Sequence, residues 1–187
     1  MDESDLAWET LDSEIDYTCP GFDVVREDVR LPDGTNAEFH HVSEPPSVVV
    51  VPFTDDGEVV VIREWRQAVN RVNHGLPAGG LEPDDTDVLA AARRELLEET
   101  GHEPNGLDRI ATFEPANGLF DSTYHYVVAH GCVPNGEQKL DHNESIAVET
   151  TRFEELAAQA TSGALRDGRS ALAVLQYALR AESSGDY

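Results

Sequence analysis

The stretch Gly80-Leu-Glu-Pro-Asp-Asp-Thr-Asp-Val-Leu-Ala-Ala-Ala-Arg-Arg94-Glu95-Leu-Leu-Glu98-Glu99-Thr-Gly101 constrains this chain most, because it sets three carboxylates one helical turn apart behind a glycine turn. Residues three and four apart lie on one side of an α-helix, so Glu95, Glu98 and Glu99 share an arc of about 100°. Like charges that close repel one another, which raises at least one pKa and costs helix stability when no cation is present. Mg²⁺ or Mn²⁺ would neutralise them with the oxygen ligands these hard ions favour. The competing explanation is an amphipathic helix whose acidic face is merely solvated.

The flanks support a helix at this place. Gly75-Leu-Pro-Ala-Gly-Gly80 is a cluster of breakers after an extended segment, Thr86 or Asp87 can cap a helix running to Thr100, and Gly101 supplies the stop. Leu89, Ala92 and Leu96 recur at three and four, giving an apolar stripe that can pack on a sheet. Arg94, set among the glutamates, can hold their geometry through charge-assisted hydrogen bonds or meet a bound anion.

Strand signals dominate the first half. Residues 23–31 and 37–42 flank the turn Pro32-Asp33-Gly34 and read as an antiparallel meander. Glu44-Pro45-Pro46 marks a boundary, so residues 1–45 are expected as an N-terminal β extension and 46–187 as the main domain. Residues 47–52 and 58–63, rich in valine, flank Asp55-Asp56-Gly57 and predict a buried hairpin. Further extended segments are expected near 110–113, 124–129 and 146–151. Helices are expected over 154–159 and 169–180, the second presenting Leu172, Leu175 and Leu179. The economical arrangement is α/β (α+β): a mixed sheet with helices on both sides.

Charge narrows the partners. Asp and Glu number 37 against 13 basic residues, for a net charge of −24, and Lys139 is the single lysine. Such a field repels nucleic acid and anionic membrane, excluding both as main partners. It would also repel a diphosphate, unless metal sits at the site and concentrated salt screens the remainder, the Debye length being about 3 Å at 1 M. The acidic, lysine-poor surface is therefore expected to be a halophilic adaptation. Cys19 and Cys132 lack disulfide-framework or metal-site spacing and are expected to act as small hydrophobes. With no signal-like or membrane-spanning apolar run, a cytoplasmic location is expected.

The segment that opened this section resembles the Nudix box, whose pattern is Gly, five residues, Glu, seven residues, Arg-Glu-aliphatic-x-Glu-Glu-x-Gly and an aliphatic residue. Gly80, Arg94, Glu95, Leu96, Glu98, Glu99 and Gly101 fall in register, while Thr86 stands at the first glutamate position and His102 at the last aliphatic one. The order of residues 24–34, 48–52, Arg63-Glu-Trp-Arg66, Leu76-Pro-Ala-Gly-Gly80-Leu-Glu82 and 162–171 is similar to the ADP-ribose pyrophosphatase branch. The resemblance implies an α/β/α sandwich and hydrolysis of a nucleoside diphosphate linked to another group, with ADP-ribose giving AMP and ribose 5-phosphate. It implies metal held by Glu95, Glu98, Glu99 and the Gly79 carbonyl, and a homodimer formed with the N-terminal strands.

Several residues outside the box follow from the same resemblance. Arg66 would meet the substrate phosphates or pair with Glu82. Trp65 would stack on a base or ribose, or else join the core. Glu144, in the loop 140–146, would orient or deprotonate the attacking water, with Glu137, Asp141 and Glu149 as its ordinary solvated neighbours; His142 and His74 are weaker candidates. Glu114–Gly118 and Asp121 would read the non-nucleotide half. Gly75, where the branch often has an acid, and Asn117, where it often has proline, leave other nucleotide sugars, dinucleoside polyphosphates and oxidised nucleotides open as substrates. A nucleotide sensor without catalysis is the reading from a different class.

Overall fold

The computed structural model describes residues 2–184. The chain folds as two compact units, Met1–Pro46 with Glu114–Thr123, and Ser47–Phe113 with Tyr124–Tyr187.

The first unit is built on three antiparallel strands, β1 (Glu9–Cys19), β2 (Phe22–Arg30) and β3 (Asn36–Ser43). The β2–β3 pair is the expected meander, closing on Pro32-Asp33-Gly34 with Gly34 at a φ of 84°. β1 was not expected, and its sequence hides it. Glu9 to Thr18 are all exposed, so no buried face imposes a hydrophobic alternation. What holds β1 is its ladder to β2 and an ion-pair cluster on Arg26, which meets Glu14, Glu38, Asp28 and Asp16. The loop that returns at 114–123 is fastened to this unit: Val42 bridges Phe120, and Ser43 Oγ donates to Asp121 Oδ2 at 2.8 Å.

The second unit carries β4 (Ser47–Thr54), β5 (Glu58–Arg66), β6 (Arg71–Gly75), β7 (Ala78–Gly80), α1 (Val88–Thr100), β8 (His102–Glu103), β9 (Gly106–Phe113), β10 (Tyr124–Pro134), β11 (Ile146–Arg152), α2 (Phe153–Ser162) and α3 (Gly168–Ser184). β4 and β10 run parallel while the remaining pairs are antiparallel, giving the mixed sheet. Alternation does the sorting along β4. Val48 and Val50 pack with Ala91, Ala92 and Leu96 of α1, whereas Val49 and Val51 pack with Leu156 of α2 and with Ala173 and Val174 of α3. A sheet covered on both faces explains the continuous valine run. Cys132 lies in the α1-side core, and Cys19, at the end of β1, is half-buried; both are free.

The expected hairpin of β4 and β5 forms only at its tip. Gly57 adopts φ 80° at the turn and Phe53 pairs with Val59, after which the strands part. β6 continues on β5 and β7 on β4, so residues 71–80 occupy the opening and carry the glycine turn into the sheet. In α3 the enclosed positions are Ser170, Ala173 and Val174, with Leu172 and Leu175 partly buried against the core and Leu179 61% exposed. The expected leucine stripe thus runs off the packed face at its end. No helix among the described residues is long and apolar enough to cross a membrane.

Candidate active site

Asp87, not Thr86, caps α1: its Oδ1 accepts from the amides of Leu89 and Ala90, both at 2.9 Å. Gly101 closes the helix in the left-handed region at φ 70°. These two ends fix the rotation of the helix, and the consequence for the glutamates is uneven. Glu99 is 4% exposed and Glu95 nearly enclosed, while Glu98 remains open to solvent. The buried stripe of α1 therefore runs Ala92, Leu96, Glu99 and ends on a carboxylate.

Each carboxylate has a neighbour that orients it. Glu99 Oε2 accepts from the Ala78 amide at 3.0 Å, in the strand wedged beside β4. Glu95 lies against Gly79, where any Cβ would collide with its carboxyl group, so a side chain there would have to displace Glu95. Arg94 binds Glu95 Oε1 at 2.8 Å and Glu98 Oε2 at 3.1 Å through Nη1, Asp85 through Nε and Nη2, and the Gly80 carbonyl at 2.9 Å. All five donors of the guanidinium are thereby engaged, and Arg94 acts as a brace with none left for a substrate. Asp85 escaped sequence reasoning. It adjoins exposed Thr86, the departure from the box, and supplies a carboxylate on that turn; the Asp-rich turn Glu82-Pro-Asp-Asp85 was the available signal.

A cavity of about 280 Å³ opens over this arrangement, lined by Gly79, Gly80, Glu82, Glu95, Glu98 and Glu99, and from the β10–β11 loop by Lys139, Asp141 and Glu144. Glu144 accepts from the Asp141 amide at 2.9 Å and so braces its own loop. That loop is fixed to the end of α1: the amides of Asn135, Gly136 and Lys139 donate to Gly101 O, Gly101 O and Glu98 O, and Gln138 Nε2 donates to Glu99 O. The carbonyls a helix leaves unsatisfied at its C-terminus are thus taken up by the segment that carries Glu144.

Burial raises the pKa of Glu99 to about 9 and of Glu95 to about 7, in each case first by stripping solvent from the carboxylate and further by repulsion from neighbours including Glu144. No three His, Cys, Asp or Glu side chains among the described residues are pre-gathered around one point. Their partners are instead Arg94, for Glu95 and Glu98, and the Ala78 amide, for Glu99. The donor set nevertheless fits a divalent cation: hard oxygen ligands, two of them kept from water and disfavoured as bare anions, around a backbone with no Cβ.

Other expected residues lie elsewhere. Arg66 pairs with buried Glu64, Nη2 to Oε2 at 2.7 Å though without hydrogen-bond alignment, and Glu82 meets Arg94 at 3.7 Å, so no Arg66–Glu82 bridge exists. Trp65 is 43% exposed and not part of the core. It lines a second groove with Val72, Leu140 and Ile146, its Nε1 donating to Gln67. Glu149 pairs with Arg63, and His74 with Gln159; neither lines the cavity, and nor do Glu137 and His142. Phe113 packs edge-on to Tyr126 in the core.

Residues 43–171 match the model of the NUDIX domain. The chain is 29% identical over 182 residues to an ADP-ribose pyrophosphatase of Bacillus subtilis, covering 95% of this chain and 98% of that protein. It is 28% identical over 159 residues to a methanol dehydrogenase activator of Bacillus methanolicus, covering 82% and 85%. A crystal structure of an ADP compounds hydrolase superimposes with a TM-score of 0.80 at 22% identity, over 96% of this chain and 97% of the other, and shows the same fold.

Proposed function

The chain belongs to the Nudix family and is a pyrophosphohydrolase of nucleoside diphosphate compounds, and on that premise we propose that its substrate is ADP-ribose, cleaved to AMP and ribose 5-phosphate with the help of Mg²⁺ or Mn²⁺. The observation that carries this is the meeting of Glu95, Glu98, Glu99 and Glu144 with the Gly79–Gly80 backbone in one cavity. The similarity to the Bacillus subtilis ADP-ribose pyrophosphatase across nearly the whole of both chains supports the choice of substrate.

Glu95, Glu98, Glu99 and the Gly79 carbonyl would hold the metal, which when bound supplies charge neutralisation on the diphosphate and a more acidic water. Arg94 keeps Glu95 and Glu98 aimed by holding one oxygen of each. Glu144 orients or deprotonates the attacking water. Arg66 would have to turn from Glu64 to meet the substrate phosphates, and the exposed ring of Trp65 stacks on the base in its own groove. Positioning and electrostatics provide most of the rate.

The protein acts as a homodimer through the N-terminal strands, whose Leu11, Ile15 and Tyr17 stand exposed on β1. It works in the cytoplasm of a salt-rich cell, in keeping with its net charge of −24.

The test is product analysis on ADP-ribose, other nucleotide sugars, dinucleoside polyphosphates and oxidised nucleotides, with Mg²⁺ or Mn²⁺ in molar KCl. AMP and ribose 5-phosphate from ADP-ribose are expected. Preferential turnover of another compound moves the substrate while keeping the site, and tight ADP-ribose binding without hydrolysis makes the domain a sensor.

A further inference from the structure

Lysine has all but vanished from this chain, and the single one left, Lys139, stands on the wall of the catalytic cavity. Six acids share that wall: Glu82, Glu95, Glu98, Glu99, Asp141 and Glu144. The other cation there, Arg94, has spent its five donors on Asp85, Glu95, Glu98 and Gly80. Lys139 is different. Its ammonium makes no ion pair among the described residues, despite the acids around it. Its backbone, by contrast, is fixed, the amide donating to Glu98 O at 2.8 Å one residue after Gln138 has bonded Glu99 O. A fixed root and a free head on a long, flexible stem describe a group available to an incoming anion.

We infer that Lys139 is a substrate-contacting residue whose ammonium pairs with the diphosphate oxygens as the substrate enters the cavity. The inference rests on the diphosphate substrate proposed above and adds to it a contact that belongs to this chain's own side chains. It also answers an electrostatic difficulty. In an acidic cavity on an acidic protein, Lys139 is the one uncommitted positive charge among the lining residues. A lysine beyond the end of α1 could instead serve only to offset the helix dipole, a role that would move stability and leave ligand affinity alone.

The experiment uses the full chain and inorganic pyrophosphate with Mg²⁺ at fixed salt, binding being read by calorimetry for the wild type, Lys139→Met and Lys139→Arg. Lys139→Met should weaken pyrophosphate by about tenfold, the scale of one charge-assisted hydrogen bond, and Lys139→Arg should recover most of it. With ADP-ribose, KM should rise by a similar factor while kcat changes by less than about threefold, the pattern of lost uniform binding. The lone lysine permits a direct readout as well. After reductive ¹³C-methylation, which keeps the charge, its ε-dimethyl resonance should shift on adding pyrophosphate. Pyrophosphate affinity within about twofold of wild type in Lys139→Met, an unmoved resonance, or a wild type that binds no pyrophosphate would each overturn the inference. If ADP-ribose is not cleaved while pyrophosphate affinity still depends on Lys139, the substrate assignment fails and this contact stands.

Discussion

Val48, Val49, Val50 and Val51 are fully enclosed between α1 on one face and α2 and α3 on the other, whereas every residue of β1 from Glu9 to Thr18 is exposed. Both segments are strands, the valines' strand paired on both sides and β1 on one side only, along β2. One is held by the removal of apolar surface from water, the other by its backbone ladder and by charges gathered on Arg26. The lesson is that a strand can form without a core, here with two register shifts along its partner, but it then depends on salt, on pH and on what else covers it.

The largest expected effect lies in the second unit. Glu99→Gln should cut turnover by about 10²- to 10³-fold if, as proposed, its carboxylate helps to hold metal, while circular dichroism keeps the native spectrum. Retained turnover would break the contrast between a core position that serves chemistry and one that serves packing. Next comes Leu96→Ala, in the same buried stripe and 0% exposed, which should cost about 3 kcal/mol in denaturant unfolding.

The metal-free protein should show the reverse of ordinary carboxylate behaviour. Glu99 and Glu95 have pKa values raised to about 9 and about 7 from 4.5, so the folded state favours their protonated forms. That stability is fully present below pH 4.5 and is lost as pH rises through 7 and then 9. Melting midpoints measured in chelator across this range should therefore fall, and added Mg²⁺ should flatten the slope. A midpoint that climbs with pH in chelator would contradict the burial of these groups.

In the N-terminal unit the effects are smaller and of another kind. Ile15→Asp, at a position already 58% exposed, should barely alter the melting of the single chain but, if the proposed dimer forms through β1, should lower the sedimentation coefficient by dissolving it. The smallest effect is expected for Arg26→Ala: a lowered midpoint in dilute buffer that recovers toward wild type in molar KCl, since exposed charges are screened there.

The same contrast explains what could be read from the sequence. Residues 88–100 announced themselves because cap, stop, apolar stripe and acidic stripe all agree on one helix. β4 and β5 were legible as valine runs, yet their early parting was not, because it depends on residues 71–80 pairing with both strands. β1 left no periodic trace, having no buried face to impose one. At the site, Glu95, Glu98 and Glu99 were visible through their spacing, and Glu144 through resemblance. Asp85 and the full commitment of Arg94 became apparent only when the turn and helix were seen together. Leu179 satisfied a helical period that the packing does not use, since the enclosed face of α3 runs through Ser170, Ala173 and Val174 instead.

The attachment of the β10–β11 loop has a consequence for how this protein can diversify. The loop is tied to the end of α1 largely by main-chain atoms, Asn135, Gly136 and Lys139 giving amide hydrogens to Gly101 and Glu98. Apart from Gln138 and Glu144, whose side chains also fasten it, side chains along it can therefore change without loosening the anchorage, and proline is the substitution these three positions should reject. The segment that carries Glu144 is thus held mainly through its backbone, an arrangement under which the lining of the cavity can change while the frame beneath it is inherited intact.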